Sequence, residues 1–466
     1  MPQSIFFDFN LPNSATWFYF ALFLAIALFF QFTRFFSLRN WDLLGLFLFV
    51  PGFLLIQESH QLSTTQPAVG QGSVATNTGD APKPEVGDGR AERERLIGYG
   101  WLLGASLFWF VRCLIDLATI RRPLITPNLT TPALFLFGAA LFVCLSAVAF
   151  SRPSNPWDDT VGKRPAVLAS VQAGAAHMVA QTQPAGPAAW SDAMFWVERT
   201  FAMVCHAAVV TALVLIGAKQ FNDTPTGVAA GIIYLLIPYT AFHVGQVHHV
   251  WPAALVVWSV YTFRRPLLAG SLMGVAIGTT FFPVLLLPVW LQFYRGRGTG
   301  RFLLGLSVTS VVGLAATLLL VKTTGQFPDG VWRTLNLSDW QPWKVPTAES
   351  IWTGANWAYR LPVFIVYAGF VITSFLWPPV RNLGQLVAVS AAVQIGVQFW
   401  FADRGGLYVL WYAPLLVLVV LRPNLADLQP PLPRPWPRFV VRVGRWLLNR
   451  IPTGGITRRV PVMAIR

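Results

Sequence analysis

The chain has 466 residues, of which 55% are hydrophobic and only 11% are charged. Soluble domains carry about 25% charged residues, so this composition excludes an ordinary soluble enzyme and predicts a multi-pass membrane protein. The formal net charge of +15 does not indicate nucleic-acid binding, because the basic residues occupy short turns and a tail, 422–466, with nine Arg and one acid. That distribution is typical of residues that fix membrane topology and attract anionic lipid.

Apolar runs with Lys and Arg at alternate ends predict transmembrane helices that obey the positive-inside rule. The N-terminal segment, 1–130, contains three such runs, at about 17–36, 43–56 and 97–120. Between the second and third, residues 58–96 are rich in Ser, Thr, Gly, Gln and Pro. A segment of this composition cannot bury enough apolar surface to fold, so we expect a disordered external loop.

The third predicted helix contains an ion pair, because Arg112 and Asp116 are four residues apart on one face. A charge within a membrane helix is a functional candidate by default. This pair lies within about two turns of the predicted cytoplasmic end. We therefore expect a structural pair whose side chains snorkel toward the surface.

Residues 131–421 are predicted to form the main membrane module. Its first helix, at about 132–150, leads into an external loop that carries two adjacent acids, Asp158 and Asp159. An amphipathic segment at 164–179 follows and is suited to lie on the membrane surface.

The stretch 227–301 consists of apolar runs broken by one polar knot, Gly245-Gln246-Val247-His248-His249. Basic clusters close the later runs at 264–265 and 295–301. The alternation of basic ends predicts that the knot lies at the external mouth of a helix pair and the arginines in the cytoplasm.

The segment 267–294 lies between basic ends but is too short for two full spans of about 20 residues each. Its interruption at Thr279-Thr280 and Pro283 predicts a hairpin of two short helices buried among the others. Broken helices at membrane depth are tolerated where they are buried in protein or line a cavity.

A second external loop, 322–361, interleaves Trp with charged residues and includes Trp340 and Trp343. Such a loop suits either a platform for sugar rings and lipid headgroups or an interfacial aromatic belt. Further helices are predicted at about 362–377, 383–401 and 407–421, with Arg404 in an external turn and a basic cytoplasmic tail, 422–466. The fold class is thus an all-α polytopic membrane protein with about 11–13 transmembrane helices and two large external loops.

One part of this module resembles a known superfamily. The segment that runs from Gly245-Gln246 through Pro266-Leu267-Leu268-Ala269-Gly270-Ser271-Leu272-Met273-Gly274-Val275-Ala276 and Phe282-Pro283 to Pro288 is similar to the C-type (GT-C) integral-membrane glycosyltransferases. It is most like the polyprenyl-phosphate-mannose-dependent mannosyltransferases of family 87. Those enzymes share a Gly-Gln or Gly-Asn turn, an Ala-Gly-x-x-x-Gly-x-Ala helix, a break, and a Leu-rich helix with a basic end.

The resemblance covers 227–301 well and 132–421 loosely by topology. Where the family commonly has Lys before Pro283, this chain has Thr280-Phe281-Phe282, which removes a cation able to meet donor phosphate. The first three helices are an addition to the family pattern.

The resemblance implies metal-independent, inverting transfer of a mannose-like hexose from a polyprenyl-phosphate donor to an external lipid or glycan acceptor. It implies no cofactor, since the lipid-linked sugar is a substrate. It also implies a catalytic acid in the first external loop of the module, where Asp158 and Asp159 lie, and a bacterial-type plasma membrane. The N-terminus is expected outside because the first apolar run ends at Arg34 and Arg39.

The chemistry of glycosyl transfer requires groups of the same kind. An acceptor hydroxyl that attacks an anomeric carbon needs a general base, and a departing lipid phosphate needs cationic or hydrogen-bonding partners. The external candidates for substrate binding are Gln246, His248, His249, Lys163, Arg164, Trp340, Trp343 and Arg404.

Structural alternatives stay open for these residues. Asp158 and Asp159 also fit a solvated turn or a helix N-cap, and His248 and His249 also fit interfacial hydrogen bonding without catalysis. The spacing supplies no third ligand for a metal site beside the two histidines.

Two rival functions stay open as well. A transporter or lipid flippase would use polar residues deep in the bilayer, of which Arg112, Asp116, Gln394 and Gln398 are examples, and it would be expected to contain inverted repeats. A non-catalytic lipid-binding member of the superfamily would accommodate the missing Lys.

Overall fold

The computed structural model describes residues 14–65, 86–119, 127–151, 166–181, 189–280, 282–323, 342–343, 350–377, 379–401 and 408–432. These residues are helices and their connections, and none of them forms a β-strand. The described part of the chain is therefore all-α, as the apolar runs predicted.

The described part of the chain contains sixteen α-helices. In the first half they are α1 Ser14–Phe29, α2 Leu38–Gly45, α3 Val50–Thr65, α4 Val86–Asp116, α5 Thr131–Ser151, α6 Ala166–Ala180 and α7 Ala189–Lys219. In the second half they are α8 Thr224–Leu236, α9 Pro238–Phe242, α10 Val247–Tyr261, α11 Pro266–Thr279, α12 Leu287–Phe293, α13 Thr299–Thr323, α14 Trp357–Thr373, α15 Leu383–Trp400 and α16 Ala413–Leu421.

Length and composition make this a multi-pass membrane protein. Six segments of the described chain are long and apolar enough to cross a membrane, namely Leu38–Ser63, Gly89–Asp116, Thr131–Ser151, Ser191–Lys219, Thr299–Lys322 and Leu383–Trp400. Five further apolar helices, of 10–17 residues, are shorter than a full span. The count of 11–13 spans requires all of these shorter helices to cross as well, and it stays a prediction.

The predicted disordered loop, 58–96, is wrong at both of its ends. Helix α3 continues to Thr65 and α4 already begins at Val86, while 66–85 lie outside the described residues. The polar ends carry surface ion pairs, since Arg90 bonds to Glu94 one turn further along α4, at 2.9 Å, and approaches Glu58 on α3, at 3.5 Å. A low apolar content therefore did not prevent helix formation beside a neighbouring helix.

Helices α11 and α13 pack in close backbone contact through small residues. A Cβ placed on Gly270 would overlap the carbonyl oxygen of Phe302, and one on Gly305 would overlap that of Leu267. Small residues at such positions let membrane helices approach closely. The Ala-Gly-x-x-x-Gly-x-Ala segment on which the family resemblance rests is thus, in this structure, a helix-packing face.

A buried ionic network joins α2, α4 and the end of α16. Arg112 donates to both carboxylate oxygens of Asp42, at 2.6 and 2.5 Å, and to Asp116 at 3.2 Å. Arg422 donates to the other oxygen of Asp116, at 2.7 Å. The expectation that Arg112 and Asp116 snorkel is wrong, because they are 5% and 1% exposed. Partners from distant parts of the chain satisfy them inside the protein.

Arg422 also corrects the boundary of the predicted tail, 422–466. Its guanidinium is buried, and Gly384 leaves room for it, since a Cβ there would lie 2.7 Å from Arg422 Nη1. The chain then returns to α15, where the Leu383 amide donates to the Leu428 carbonyl at 2.9 Å. The part of the tail from 433 onward lies outside the described residues.

Candidate functional site

Two helix breaks surround the polar knot. Helix α8 ends at Leu236, and Pro238 starts the short helix α9 after a break at Ile237. Pro cannot donate a backbone hydrogen bond, so the helical ladder is interrupted there. The Thr240 hydroxyl donates instead to the Tyr234 carbonyl at 2.7 Å. A turn follows, and α10 begins at Val247.

The second break is the predicted hairpin between α11 and α12. Helix α11 ends at Thr279, and a 3-10 turn, Phe282–Leu286, leads into α12. The prediction of two short helices is confirmed. The indole of Trp251, in the first turn and a half of α10, donates to the Thr279 hydroxyl at 2.9 Å. This bond connects the helix that begins at the knot to the second break.

The knot itself is a compact, hydrogen-bonded group. Gln246 is the N-cap residue of α10, but its side chain makes no capping bond to the helix. Instead, Gln246 Oε1 lies 2.6 Å from His243 Nδ1. His243, Gln246 and His249 are buried, with 5%, 7% and 4% of their surfaces exposed, whereas His248 is half-buried. The knot reaches the surface mainly through His248 and is less open than a site at a helix mouth.

Aromatic rings cover the knot in a continuous series, which we call the aromatic stack. It consists of His243, His249, Tyr408, Trp411 and Phe282. Successive ring centroids are 4.0, 5.3, 4.3 and 4.5 Å apart. The Trp411 indole also donates to the His248 carbonyl at 3.0 Å. The stack therefore joins the knot to the second helix break and to the segment that precedes α16.

A buried cation lies beside the knot. Arg199 on α7 is 8% exposed, and its guanidinium carbon lies 5.0 Å from the Phe195 ring centroid. A Cβ on Gly245 would overlap the Arg199 guanidinium, so the glycine of the Gly-Gln turn makes room for this arginine. In the sequence, Arg199 is a charged residue within an apolar run. That pattern was the signal that could have identified it.

The predicted acid pair lies outside the described residues, but the chain that leads to it does not. Asp158, Asp159, Lys163 and Arg164 fall within 152–165, which the structure does not describe. Helix α5 ends one residue after Phe150, whose ring stacks on Trp196 of α7 at 5.2 Å. Trp196 is three residues before Arg199, so the end of α5 lies close to the part of α7 that carries the buried cation.

The amphipathic segment predicted at 164–179 is helix α6, and it packs on α7. Ala176 of α6 is fully buried in a small apolar cluster with Ala193 and Val197. One face of α6 is thereby used against the protein, at the same end of α7 as Trp196.

Of the predicted residues in the later loops, only one lies within the described part of the chain. Trp340 and Arg404 lie outside the described residues. Trp343 is 57% exposed. Segment 402–407, which contains Arg404, is flanked by Phe401 and Tyr408. Tyr408 belongs to the stack, and the Phe401 ring lies 4.8 Å from that of Phe282. The described residues on both sides of Arg404 therefore lie at the stack.

Sequence reasoning identified Gln246, His248 and His249 but missed the rings that cover them. Tyr408, Trp411 and Phe282 are distant from the knot along the chain, and no local spacing connects them. His243 could have been included in the prediction, since it precedes Gln246 by only three residues.

Among the residues that a transporter would use, the two charged ones are bonded within the protein. Arg112 and Asp116 belong to the buried ionic network. Gln394 and Gln398 are buried on α15, with 6% and 1% of their surfaces exposed.

Comparisons with known protein families, curated proteins and solved structures found no match to this chain. Among the described residues, no group of three or more His, Cys, Asp or Glu side chains is arranged to hold a metal ion. The chemistry offered by the described part of the site is that of imidazole and amide hydrogen bonding, aromatic faces and one buried guanidinium.

Proposed function

We propose that this protein is an integral-membrane glycosyltransferase that transfers a mannose-like hexose from a polyprenyl-phosphate donor to an external lipid or glycan acceptor. The observation that carries the proposal is the convergence of two helix breaks, the polar knot and the aromatic stack on one group of residues. Binding sites in membrane proteins commonly use interrupted helices of this kind.

The reaction is a single displacement at the anomeric carbon of the donor sugar. An acceptor hydroxyl oxygen forms the new bond to that carbon, and the bond from the carbon to the phosphate oxygen breaks. The hydroxyl proton passes to a carboxylate, for which Asp158 and Asp159 are the candidates. The polyprenyl phosphate leaves with the bonding electrons, so the configuration at the anomeric carbon is inverted.

The described side chains suit the other tasks of this reaction. His248, His249 and Gln246 carry imidazole and amide groups that can hydrogen-bond sugar hydroxyls, and His248 is the half-buried member of the three. The rings of Tyr408 and Trp411 support these groups from behind, because they are buried and stacked on each other. Arg199 supplies a guanidinium for the donor phosphate, in a chain that lacks the Lys before Pro283. A fixed cation that meets a developing phosphate charge stabilises the transition state.

A transporter or lipid flippase is less well supported by the described residues. The deep charges Arg112 and Asp116 bond to Asp42 and Arg422 rather than to an open pathway. A fully paired network of this kind is a structural feature.

The test is sugar transfer by the purified full-length protein from a panel of polyprenyl-phosphate donors. Asp158→Asn and Asp159→Asn are assayed beside the unchanged protein and beside Asp427→Asn, an exposed acid after α16 that serves as the matched control. We expect transfer to fall by about a hundredfold or more in one of the first two variants and to be unchanged in the control. Thermal unfolding is measured for all proteins to confirm equal folding.

Absence of transfer from every donor by well-folded protein would contradict the proposal. Donor binding without transfer would then identify a lipid-binding member of the superfamily. Equal activity in both Asp158→Asn and Asp159→Asn would remove the assignment of the base to this pair.

A further inference from the structure

A concave site lies at the other end of helix α10, which begins at the knot. Helix α10 has 15 residues, so its ends are about 22 Å apart. Beyond its second end is a cavity of about 850 Å³, a size typical of ligand pockets. We call it the basic cavity, and its lining residues are Arg264, Arg265, Pro266, Leu267, Leu268, Gly296, Arg297, Gly298, Thr299, Gly300, Arg301, Pro431 and Leu432.

Two turns of the chain are locked together to form this cavity. Gly298, in the turn between α12 and α13, has φ +123, a conformation that side chains with a Cβ rarely adopt. A Cβ there would also lie 2.8 Å from the Pro266 ring, which starts α11. The Tyr294 hydroxyl donates to the Phe263 carbonyl at 2.7 Å and connects the same two turns. The arginines of both turns are thereby brought to one place.

The lining carries a strong positive charge. Four of the lining residues are Arg, and none of the described residues that line the cavity is Asp or Glu. Arg264 and Arg265 are exposed, and Arg297 donates to the Gln429 amide oxygen at 2.7 Å. Helix α13, of 25 residues, begins at Thr299 in the lining, so its first amides add a partial positive charge.

Apolar side chains share the same lining. Leu267, Leu268 and Leu432 are 48%, 41% and 76% exposed. Leu303 and Leu304, at the start of α13, are also exposed. Arginines beside outward-facing leucines at a helix end are typical of the level at which lipid headgroups meet acyl chains.

We propose that the basic cavity binds an anionic membrane phospholipid, with its phosphate among Arg264, Arg265, Arg297 and Arg301 and its acyl chains along the leucines of α11. A free phosphate compound would satisfy the arginines but would leave the leucines exposed to water. The positive-inside rule predicts that the lipid belongs to the inner leaflet.

The test measures binding of a fluorescent phosphatidylglycerol to the full-length protein in uncharged detergent, with phosphatidylcholine of the same chains as reference. The cavity variant is Arg264→Gln with Arg265→Gln. The control is Arg295→Gln with Arg381→Gln, two exposed arginines that are absent from the lining and whose loss removes the same charge. We expect about tenfold weaker phosphatidylglycerol binding in the cavity variant and about twofold or less in the control.

Equal weakening in both variants would show general attraction to the basic surface and would overturn the proposal. A second measurement adds glycerol 3-phosphate at constant ionic strength. We expect it to displace the lipid only at far higher concentration, because it lacks acyl chains. Displacement at the same concentration as the lipid would assign the cavity to a soluble phosphate compound instead. Thermal unfolding of both variants confirms that the fold is retained.

Discussion

The two ends of helices α10 and α11 differ in the kind of side chain that holds them. At one end, imidazole and aromatic rings stack around two helix breaks, and the only cation described there is the buried Arg199. At the other end, arginines from two turns line the basic cavity. Nearby segments at that end are joined by the ionic network of Asp42, Arg112, Asp116 and Arg422.

This difference follows from where backbone groups are left without a helical partner. A break inside an apolar assembly exposes carbonyl and amide groups that must be satisfied internally. An uncharged donor such as the Thr240 hydroxyl does this at a lower desolvation cost than a charge would. At the opposite end the Tyr294 hydroxyl bonds to the Phe263 carbonyl in the same way, but Arg264 and Arg265 are exposed and can reach headgroups. We therefore expect substitutions at the imidazole end to lower activity. Substitutions at the arginine-rich end should lower stability or lipid binding.

The largest effect is expected from Arg112→Met, at the arginine-rich end. The change leaves Asp42 buried without its bidentate partner and weakens the network around Asp116. Breaking a buried ion pair from one side typically costs about 3–5 kcal/mol, so we expect a large drop in the thermal unfolding temperature in detergent.

The matched control is Arg90→Met on the same helix, since the ion pairs of Arg90 with Glu94 and Glu58 lie at the surface. We expect little change there, because exposed pairs contribute little. Asp42→Asn added to Arg112→Met should recover part of the lost stability. Equal unfolding temperatures for the two single variants would mean that the network does not hold the helices together.

An intermediate effect is expected from Gly245→Ala, at the imidazole end. The new methyl group overlaps the guanidinium of Arg199, which is the far end of a flexible side chain and can move aside. Stability should change little, whereas a displaced Arg199 would meet the donor phosphate poorly. We expect about tenfold slower sugar transfer, equivalent to about 1.4 kcal/mol in the activation free energy.

Gly278→Ala on α11 is the control for Gly245→Ala, because a Cβ there would meet its nearest atom at 3.6 Å, an ordinary contact. Both proteins are compared by transfer rate and by thermal unfolding. Full activity in Gly245→Ala would show that Arg199 does not take part in the reaction. This outcome would not depend on the role of Asp158 or Asp159.

Much of the helical layout could be predicted from local composition. The run predicted at 132–150 is helix Thr131–Ser151, and the run predicted at 383–401 is helix Leu383–Trp400. A long apolar run predicts a membrane helix by its own composition, so these helices could be predicted without information about their tertiary contacts. The polar ends of 58–96 were missed because they continue the apolar helices α3 and α4, which pack on each other, and the composition of the loop alone does not show this.

The site could be predicted only in part, for a related reason. The knot stands out locally as a polar interruption, and Gln246, His248 and His249 were identified. Its covering rings come from the segment that precedes α16, and a sequence pattern does not encode that approach. The same applies to Arg422, which bonds to Asp116 across 306 positions and looked like part of a basic tail. The role of Asp158 or Asp159 stays a prediction.

The smallest effect is expected from Trp251→Phe, which tests whether the two helix breaks are tied together. The variant keeps an aromatic ring but loses the donor to the Thr279 hydroxyl. Thr279 still donates to the Val275 carbonyl at 2.8 Å, so no buried hydroxyl is left unsatisfied. We expect the loss of about 1 kcal/mol in the free energy of unfolding, the usual value of one hydrogen bond.

Trp343→Phe is the control for this change, because Trp343 is exposed and its replacement removes the same indole group. Chemical unfolding of both variants in detergent gives the difference. If Trp251→Phe and Trp343→Phe unfold alike, the bond between α10 and the end of α11 contributes nothing measurable. The aromatic stack alone would then hold the knot against the second helix break, and His249→Ala should destabilise that contact. If only Trp251→Phe is destabilised, the hydrogen bond and the aromatic stack both hold the imidazole end in place.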